Sequence, residues 1–350
     1  MTAIRVFLLT CRRPHLLPRA LASLRAQTFT DWVCELHNDA PEDDSPRRLL
    51  AEISDPRITL HQHEKNWGAV ATLNHAYAAG PEPFVSLLED DNWWEPNFLA
   101  TAHAALVAVP TANVVWANLR LWQEQPNGAW TDTGRTIWQT TPADSRPRLF
   151  HWPQPLQLTD ALHSHGAMLC RARASAAACV PPSTPLAIIE PVRERLLSGG
   201  WLFLPQPLAH FALTLRTARS DDRAHWAQCQ LLVAASYLSA VHPDPATLRA
   251  VWSTLRAQRP PSTPLLFQLA FAGIQSAALL RHATPRDWFR FLAGAIRHPL
   301  TLLRALHFRR DHSSLWATIR PAALARSAEA AQRPPTENPS VPLLTKSLWA

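Results

Sequence analysis

The sequence predicts an α/β protein, a Rossmann-like doubly wound mixed sheet followed by a C-terminal helical module. Over the first hundred residues, short apolar runs alternate with helical patterns, as in a parallel sheet with crossover helices. From about residue 220 the pattern becomes helical and rich in Ala, Leu and Arg. The 350 residues allow a catalytic domain and a smaller unit. We expect the catalytic domain at residues 1–216, the helical module at 217–320 and a disordered tail at 321–350.

Each predicted element rests on a local pattern. Leu17, Leu21 and Leu24 share one helical face, and Ser45 followed by Pro46 resembles a helix N-cap and first helical residue. The strands expected in the first half are the apolar runs at residues 4–9, 32–37, 57–61 and 84–88. Further elements are helices at 67–79, 97–109 and 186–197, strands at 113–122, 165–170 and 201–204, and a loop over the site at 129–160.

Composition narrows the function classes. The net charge of +7 and the pI near 9.8 indicate an anionic partner, which leaves nucleic acid, a phospholipid surface and a phosphorylated substrate open. No stretch of about 18 residues is apolar enough to cross a bilayer. The five cysteines lie far apart without a Cys-x-x-Cys pair, which favours a reducing compartment over a zinc site or disulfides. With no secretion signal visible, we expect a cytoplasmic location.

The sharpest motif is an apolar strand that ends in three consecutive carboxylates, Glu89, Asp90 and Asp91. Ligands bind at the carboxyl ends of strands in an open α/β sheet. Crowded carboxylates repel one another unless a cation neutralises them, and Mg²⁺ or Mn²⁺ that also binds phosphate oxygens is the candidate. The alternative is a solvated acidic turn.

A second acidic loop follows the second predicted strand and begins with Asn38 and Asp39. In a parallel sheet this loop opens on the same edge as the three carboxylates. A carboxylate there suits a pyrimidine NH or a ribose hydroxyl. The alternative is a turn that initiates the next helix.

Taken in order, these segments resemble the inverting family 2 glycosyltransferases of the GT-A fold, over roughly residues 3–215. That family opens with a strand, a Thr-x-x-Arg-Pro-like turn and a helix ending in Ala-Gln-Thr. An acidic loop, an Asn-x-Gly segment, a later Asn and an Asp-x-Asp metal motif follow. The matching segments here are 9–14, 26–29, 38–44, 66–68, Asn74 and 89–91.

The resemblance implies sugar transfer from a nucleotide-diphosphate donor, with Mn²⁺ or Mg²⁺ held by Asp91 and Glu89. Asn38 in place of the usual first Asp, and Leu73 where an Arg often precedes Asn74, depart from the family pattern. His165, Trp93 and Trp94 are expected on the acceptor or diphosphate side. The residues expected to bind the donor nucleotide are Thr10, Arg12, Asp39, Asn66, Gly68, Asn74 and Asp90.

An inverting transfer needs a carboxylate that deprotonates the acceptor hydroxyl. In the family this base lies in an acidic pair at a helix start about 100 residues after the metal motif. Glu190 is the candidate here, although Pro191 stands where the second acid often lies. The alternative is that Glu190 only favours the helix N-terminus beside a proline at its first turn. His163 and His165 would share one face of an extended segment, as structural or acceptor-side residues rather than a zinc site.

In the helical module, arginines recur at helical spacing among large apolar residues between 286 and 310. This predicts a basic amphipathic segment that lies on anionic lipid, which would make the protein peripheral at the inner face of the cell membrane. The alternative is a helix packed on the catalytic domain. The arginines of this segment are Arg286, Arg290, Arg297, Arg304, Arg309 and Arg310.

The sequence therefore predicts a metal-dependent glycosyltransferase acting on a glycan or lipid-linked acceptor. An inactive relative that serves as a binding or scaffold subunit is the alternative, favoured by Asn38, Leu73 and Pro191. A nucleotidyltransferase is disfavoured because the first loop lacks glycine. Nucleic-acid binding is disfavoured because no recognition motif accompanies the arginines.

Overall fold

The strands in the described part of the chain form one mixed sheet. The computed structural model describes residues 3–78, 80–140, 146–215, 223–246, 248–249, 252, 280–300, 302–303 and 313–333. The strands are β1 (Ile4–Thr10), β2 (Trp32–Asn38), β3 (Ile58–Gln62), β4 (Phe84–Glu89), β5 (Trp93–Trp94), β6 (Ala112–Glu124), β7 (Trp130–Thr136), β8 (Arg148–Phe150), β9 (Met168–Arg171) and β10 (Gly200–Leu213).

The helices follow the strands in the first half and dominate the end of the chain. They are α1 (Leu17–Arg25), α2 (Ser45–Ile53), α3 (Ala69–Tyr77), α4 (Phe98–Ala108), α5 (Ala172–Ala176), α6 (Ile189–Leu196), α7 (Arg223–Ala240), α8 (Pro285–Arg297) and α9 (Ser313–Ala331). Short 3₁₀ turns occur at Pro155–Leu158, His165–Ala167 and Leu186–Ile188. None of the helices in the described part of the chain is both long and apolar enough to span a bilayer.

The strand order is β3-β2-β1-β4-β9-β6-β10-β5, with β7 beside β6 and β8 beside β10. The first four of these run parallel, and their register pairs Thr10 with Asn38 and Leu9 with Glu89. The carboxyl ends of β1, β2 and β4 therefore meet at one edge of the sheet. β9 lies antiparallel between β4 and β6, which makes the sheet mixed.

This architecture confirms the predicted α/β class and nearly all of the expected elements. One difference lies at 165–167, where we expected the start of a strand and the structure places a 3₁₀ turn before β9. Another lies at 129–160, where we expected a loop and the structure places β7, β8 and a 3₁₀ turn. β7 pairs with β6 across the turn at Gly128, whose positive φ of 80° suits glycine. The β7 sequence is half-exposed and rich in threonine, so it lacks the apolar pattern that marks a buried strand. Only its pairing identifies it.

The core extends from the sheet to the C-terminal helices. Trp116 on β6 and Trp201 and Phe203 on β10 are fully buried. Burying a side chain such as that of Phe203 stabilises the folded protein by about 1.5–3 kcal/mol. Leu232 of α7 and Leu315 of α9 belong to the same apolar cluster. The described C-terminal helices are thus continuous with the catalytic half.

Contacts and a helix cross the limits expected for the predicted domains. The guanidinium of Arg195 on α6 is buried and donates to Ser236 Oγ at 2.6 Å and to Val233 O at 2.9 Å on α7. The limit at residue 321 falls inside α9, which is helical to Ala331 because Leu315, Ile319 and Ala323 are buried. Arg304, Arg309, Arg310 and residues 334–350 lie outside the described residues.

Candidate active site

Two aspartates at the end of β4 are held by the first loop. Thr10 Oγ1 at the end of β1 donates to Asp90 Oδ2 at 2.7 Å. Arg13 forms an ion pair with each aspartate, 2.6 Å to Asp90 Oδ1 and 2.6 Å to Asp91 Oδ2. Arg19 NH2 donates to the carbonyl of Asp91 at 3.0 Å. The parallel pairing of β1 with β4 makes these contacts possible across 80 residues of sequence.

The carboxylates at this edge outnumber the cations beside them. Asp90 is fully buried, and burial raises its pKa to about 6, with Arg13 opposing that shift and Asp91 adding to it. Asp91 keeps 18% of its side chain exposed, so one carboxylate of the group faces the open edge. Oxygen ligands of this kind suit Mg²⁺ or Mn²⁺. The residues present therefore fit the cation that the sequence predicted.

Asp39 organises a second wall of the same edge. Its Oδ1 accepts from the backbone N–H of Trp67 at 2.6 Å, and its Oδ2 accepts from that of Gly68 at 3.0 Å. Asn66 Nδ2 donates to the Asp39 carbonyl at 2.8 Å. Gly68 has φ +79°, a conformation that a side chain would strain. Asp39, Asn66 and Gly68 thus form one hydrogen-bonded unit.

Glu190 and Glu89 approach neighbouring residues of the turn His165–Ala167. Glu190 Oε1 accepts from the backbone N–H of His165 at 3.0 Å, and a third of its side chain is exposed. Glu89 Oε2 lies 3.4 Å from the position that a Cβ on Gly166 would occupy and accepts from Asn92 Nδ2 at 2.8 Å. The turn therefore brings the predicted base and the metal motif to one place, although about 100 residues separate them in sequence.

His165 is held as a neutral imidazole. Burial lowers its pKa well below the ordinary value, and electrostatic interaction with His163 and Arg193 adds to that shift. The Tyr77 hydroxyl contacts its ring nitrogen Nδ1 at 2.5 Å. His163 Nδ1 instead contacts the buried carboxylate of Glu194 at 2.8 Å, so the two histidines do not converge on a common ligand.

Two predicted site residues, Arg12 and Asn74, contact partners outside the group of carboxylates. Arg12 pairs with Glu42 at 2.5 Å on the surface, whereas its neighbour Arg13 contacts the aspartates. The side-chain amide of Asn74 makes two hydrogen bonds to the backbone of Val180. Its Nδ2 donates to the Val180 carbonyl at 2.7 Å, and its Oδ1 accepts from the Val180 N–H at 2.9 Å. The side chain of Arg12 thus lies on the protein surface, and that of Asn74 connects α3 to Val180.

The two predicted site tryptophans, Trp93 and Trp94, differ in how far their side chains are buried. Trp94 is 2% exposed, and its indole N–H donates to the Gly166 carbonyl at 2.7 Å. This hydrogen bond holds the turn His165–Ala167 from the protein interior. Trp93 is half-buried, stacks on His210 at 4.8 Å and lies under the guanidinium of Arg19 at 3.6 Å. Trp93 is the one of the pair that retains an accessible surface.

Sequence reasoning did not single out Arg13, Arg19 or His63 as site residues. Arg13 was visible as the second of two arginines in the first loop, but a linear motif does not say which one turns inward. His63 Nδ1 lies 3.0 Å from Asp39 Oδ1, and its ring stacks on Trp67 at 3.7 Å. The alternation of His61 and His63 on a strand was the available signal.

Comparison with known proteins supports the class to which this site belongs. Residues 6–164 match the model of glycosyl transferase family 2. The fold resembles that of S. aureus TarS, residues 1–349, solved with UDP-GlcNAc, at a TM-score of 0.51 and 10% identity over 94% of this chain and 91% of that one. The TarS structure with UDP gives the same score and coverage. The fold and the family match together support a GT-A-fold glycosyltransferase.

Two curated relatives match the N-terminal part. One is the E. coli K12 protein described as a putative colanic acid biosynthesis glycosyl transferase, WcaA, 27% identical over 116 residues, which are 33% of this chain and 42% of that protein. The other is the uncharacterized protein y4gI of Sinorhizobium fredii, 26% identical over 107 residues, 30% of this chain and 12% of that protein. The matched part spans less than half of either relative.

Proposed function

We propose that the protein transfers a sugar from a nucleotide-diphosphate donor to the hydroxyl of a glycan or lipid-linked acceptor, with inversion at the anomeric carbon. The observation that carries this proposal is the convergence of Asp39, Asp90 and Asp91 at one sheet edge, with Glu190 reaching the same turn as Glu89. A polar wall for a nucleoside and an acidic group for a diphosphate-bound cation lie side by side there.

In the proposed reaction, Glu190 accepts the proton of the acceptor hydroxyl as its oxygen attacks the anomeric carbon. The new carbon–oxygen bond forms on the face opposite the bond to the diphosphate, which breaks with its electron pair remaining on phosphate. The N–H of His165 holds Glu190 Oε1, so one carboxylate oxygen is oriented and a third of the side chain stays accessible. Bound Mn²⁺ or Mg²⁺ would neutralise the charge that develops on the leaving diphosphate.

The donor side is proposed to divide between two walls. Asp39 with its loop would face the base and ribose, while Asp91 and Glu89 would hold the cation on the diphosphate. Arg13 balances the two aspartates and keeps Asp91 in place through a 2.6 Å ion pair. Neutral His165 lies beside the base without adding a positive charge that would compete for its proton.

A thermal-shift titration with UDP, GDP and dTDP, each with and without Mn²⁺, tests the donor site on wild type and Asp91→Ala. One nucleotide should stabilise the wild type in a metal-dependent manner, and Asp91→Ala should lose that metal dependence. Glu190→Gln should keep the nucleotide shift and lose transfer by at least about 100-fold, the lower end of general-base contributions. No shift with any nucleotide would favour the inactive scaffold instead.

The helix α8 is proposed to lie on an anionic membrane surface. At 100° per residue, Phe289, Leu292 and Ile296 fall on one face of α8, and all three are more than half exposed. Arg286, Arg290 and Arg297 are exposed on one flank of that face. An apolar stripe beside basic residues is the pattern that inserts at the headgroup boundary of anionic lipid.

Sedimentation with phosphatidylglycerol vesicles at low salt tests this surface. Wild type should sediment, and replacing both Phe289 and Ile296 by Ser should reduce binding at least 10-fold. Val107→Ser serves as the control, because Val107 is 53% exposed on α4 and outside this helix. Equal sedimentation of all three proteins, or none by the wild type, would remove the membrane from the proposal.

A further inference from the structure

A histidine cluster lies beside the donor wall, on β2 and β3. Glu35 and His37 are two residues apart on β2, so their side chains share one face of the sheet. The parallel register pairs His37 with His61 of β3, and the two imidazole rings stack at 4.7 Å with 6° between their planes. These three residues line a cavity of about 630 Å³ with His63, Trp67 and His75.

The ligand atoms of the three residues lie close together. Glu35 Oε2 is 3.3 Å from His37 Nε2 and 3.9 Å from His61 Nε2, and the three atoms lie within 4.8 Å of one another. Tetrahedral ligands at the usual zinc distances are about 3.4 Å apart. His37 is buried, whereas 43% of the His61 side chain is exposed, so His61 has room to adjust.

Hydrogen bonds fix which nitrogen of each ring carries hydrogen. The Asp39 carboxylate accepts from His63 Nδ1 at 3.0 Å, so the neutral form of this ring has its lone pair on Nε2. That lone pair faces His37 Nδ1 at 3.0 Å, so His37 Nδ1 carries the hydrogen and its Nε2 carries the lone pair. His37 Nε2 then faces Glu35 Oε2 at 3.3 Å, and two acceptors confront each other.

A bound cation or an extra proton relieves this confrontation. Arg5 NH1 approaches Glu35 through the other oxygen, Oε1, at 3.8 Å and leaves Oε2 to the histidines. A metal ion bound by both lone pairs satisfies them without protonating the ring.

We propose that Glu35, His37 and His61 bind a zinc-class divalent ion at a site separate from the Asp91 site. Two imidazoles and a carboxylate select Zn²⁺, Ni²⁺ or Cu²⁺ over the hard cations Mg²⁺ and Mn²⁺, which prefer oxygen. Three protein ligands leave the fourth position open toward the cavity. The contact of His37 Nδ1 with His63, and of His63 with Asp39, supplies the second shell that orients metal-bound imidazoles.

The same contacts connect this ion to the donor wall. A bound ion holds His37 in one tautomer, and His63 then keeps its hydrogen on the nitrogen that contacts Asp39. Asp39 in turn holds the backbone of Trp67 and Gly68. The site therefore positions the donor loop, and this consequence, unlike the binding itself, rests on the proposed function.

Equilibrium dialysis of untagged protein against Zn²⁺, with metal analysis of the protein, tests the site in an Asp91→Ala background. One Zn²⁺ per chain should bind, and His61→Ala or Glu35→Gln should weaken binding at least 10-fold. His15→Ala is the matched control, because His15 is an exposed histidine outside the cluster. Zn²⁺ should also raise the Tm of the parent and the control but not of His61→Ala.

Two results would overturn the proposal. One is the absence of bound Zn²⁺ in the parent, and the other is equal binding by His61→Ala and the parent. Because metal binding is measured without donor or acceptor, a chain that binds Zn²⁺ but no nucleotide would keep this site and contradict only the proposed transferase activity.

Discussion

Burial sets the charge of His165, and that charge affects stability. Its pKa in the folded protein lies well below the ordinary value because the ring is enclosed, and electrostatic interaction with His163 and Arg193 adds to that effect. The unfolded chain therefore binds the extra proton first as the pH falls. The stability contributed by the neutral ring is complete above about pH 6.5 and is lost progressively below it.

His165→Gln should flatten the pH dependence of unfolding. Urea denaturation at pH 7.5 and pH 5 should show the wild type losing more free energy than the variant over that interval. Each unit of pKa shift corresponds to about 1.4 kcal/mol, so a difference of at least that size is expected. Parallel profiles for the two proteins would show that His165 is not held neutral by the fold.

Gly166 allows the approach of Glu89 to the turn. A Cβ at this position would lie 2.8 Å from Asn92 Nδ2, and Asn92 is buried and bonds both Glu89 and the backbone N–H of Ala212. Gly166→Ala should cost about 1–3 kcal/mol and reduce transfer, because Glu89 loses its partner. In an Asn92→Ala background the cost should shrink, since the obstructing atom is gone. Additive losses in this double-mutant cycle would contradict the steric argument.

At the scale of elements, substituting Asn74 tests whether this residue has a structural role or binds the donor. Asn74 connects α3 to the segment after α5 by bonding both backbone groups of Val180. Asn74→Ala should lower the free energy of unfolding by about 1–3 kcal/mol, because two partly buried backbone groups lose their partner. Nucleotide affinity, measured by calorimetry, should stay unchanged.

The substitution Asp39→Asn should differ from Asn74→Ala in its effect on nucleotide affinity. The Asp39 carboxylate accepts from two backbone N–H groups of the loop before α3, so the substitution should weaken nucleotide binding as well as the loop. A larger loss of affinity for Asn74→Ala than for Asp39→Asn would return Asn74 to the role that the family resemblance implied.

At the scale of the whole molecule, Arg195 joins the two halves of the described chain. Burial lowers its pKa to about 10, yet it still carries a positive charge at neutral pH and donates to four oxygens on three segments. Arg195→Met should cost about 2–4 kcal/mol because several buried acceptors lose their donor at once. Ser236→Ala removes one acceptor and should cost about 1 kcal/mol.

The same contacts predict one cooperative unfolding transition for both halves. Tryptophan fluorescence reports mainly on the sheet and circular dichroism mainly on the helices, so the two denaturation curves should coincide. Separate midpoints would show that the helical part folds as an independent module, as the sequence first indicated.

Local patterns in the sequence were enough for the α/β class, the first four strands and the acidic groups at their ends. Apolar runs and helical periodicity report which residues are buried locally, and parallel strands bring their carboxyl ends together whatever the details of packing. Asp39, Asp90 and Asp91 could therefore be assigned to one edge. The strands β7 and β8 could not, because their partly exposed sequences lack the apolar pattern of a buried strand and only their pairing with β6 and β10 identifies them.

Tertiary structure decided which side chains face the site. Arg13 rather than Arg12 contacts the aspartates, Asn74 turns to Val180, and Trp94 is enclosed beneath Gly166. The metal cluster of Glu35, His37 and His61 likewise depends on the register between β2 and β3. Side-chain direction follows from strand register and long-range packing, whereas local spacing in the sequence carries information only about the chain's own periodicity.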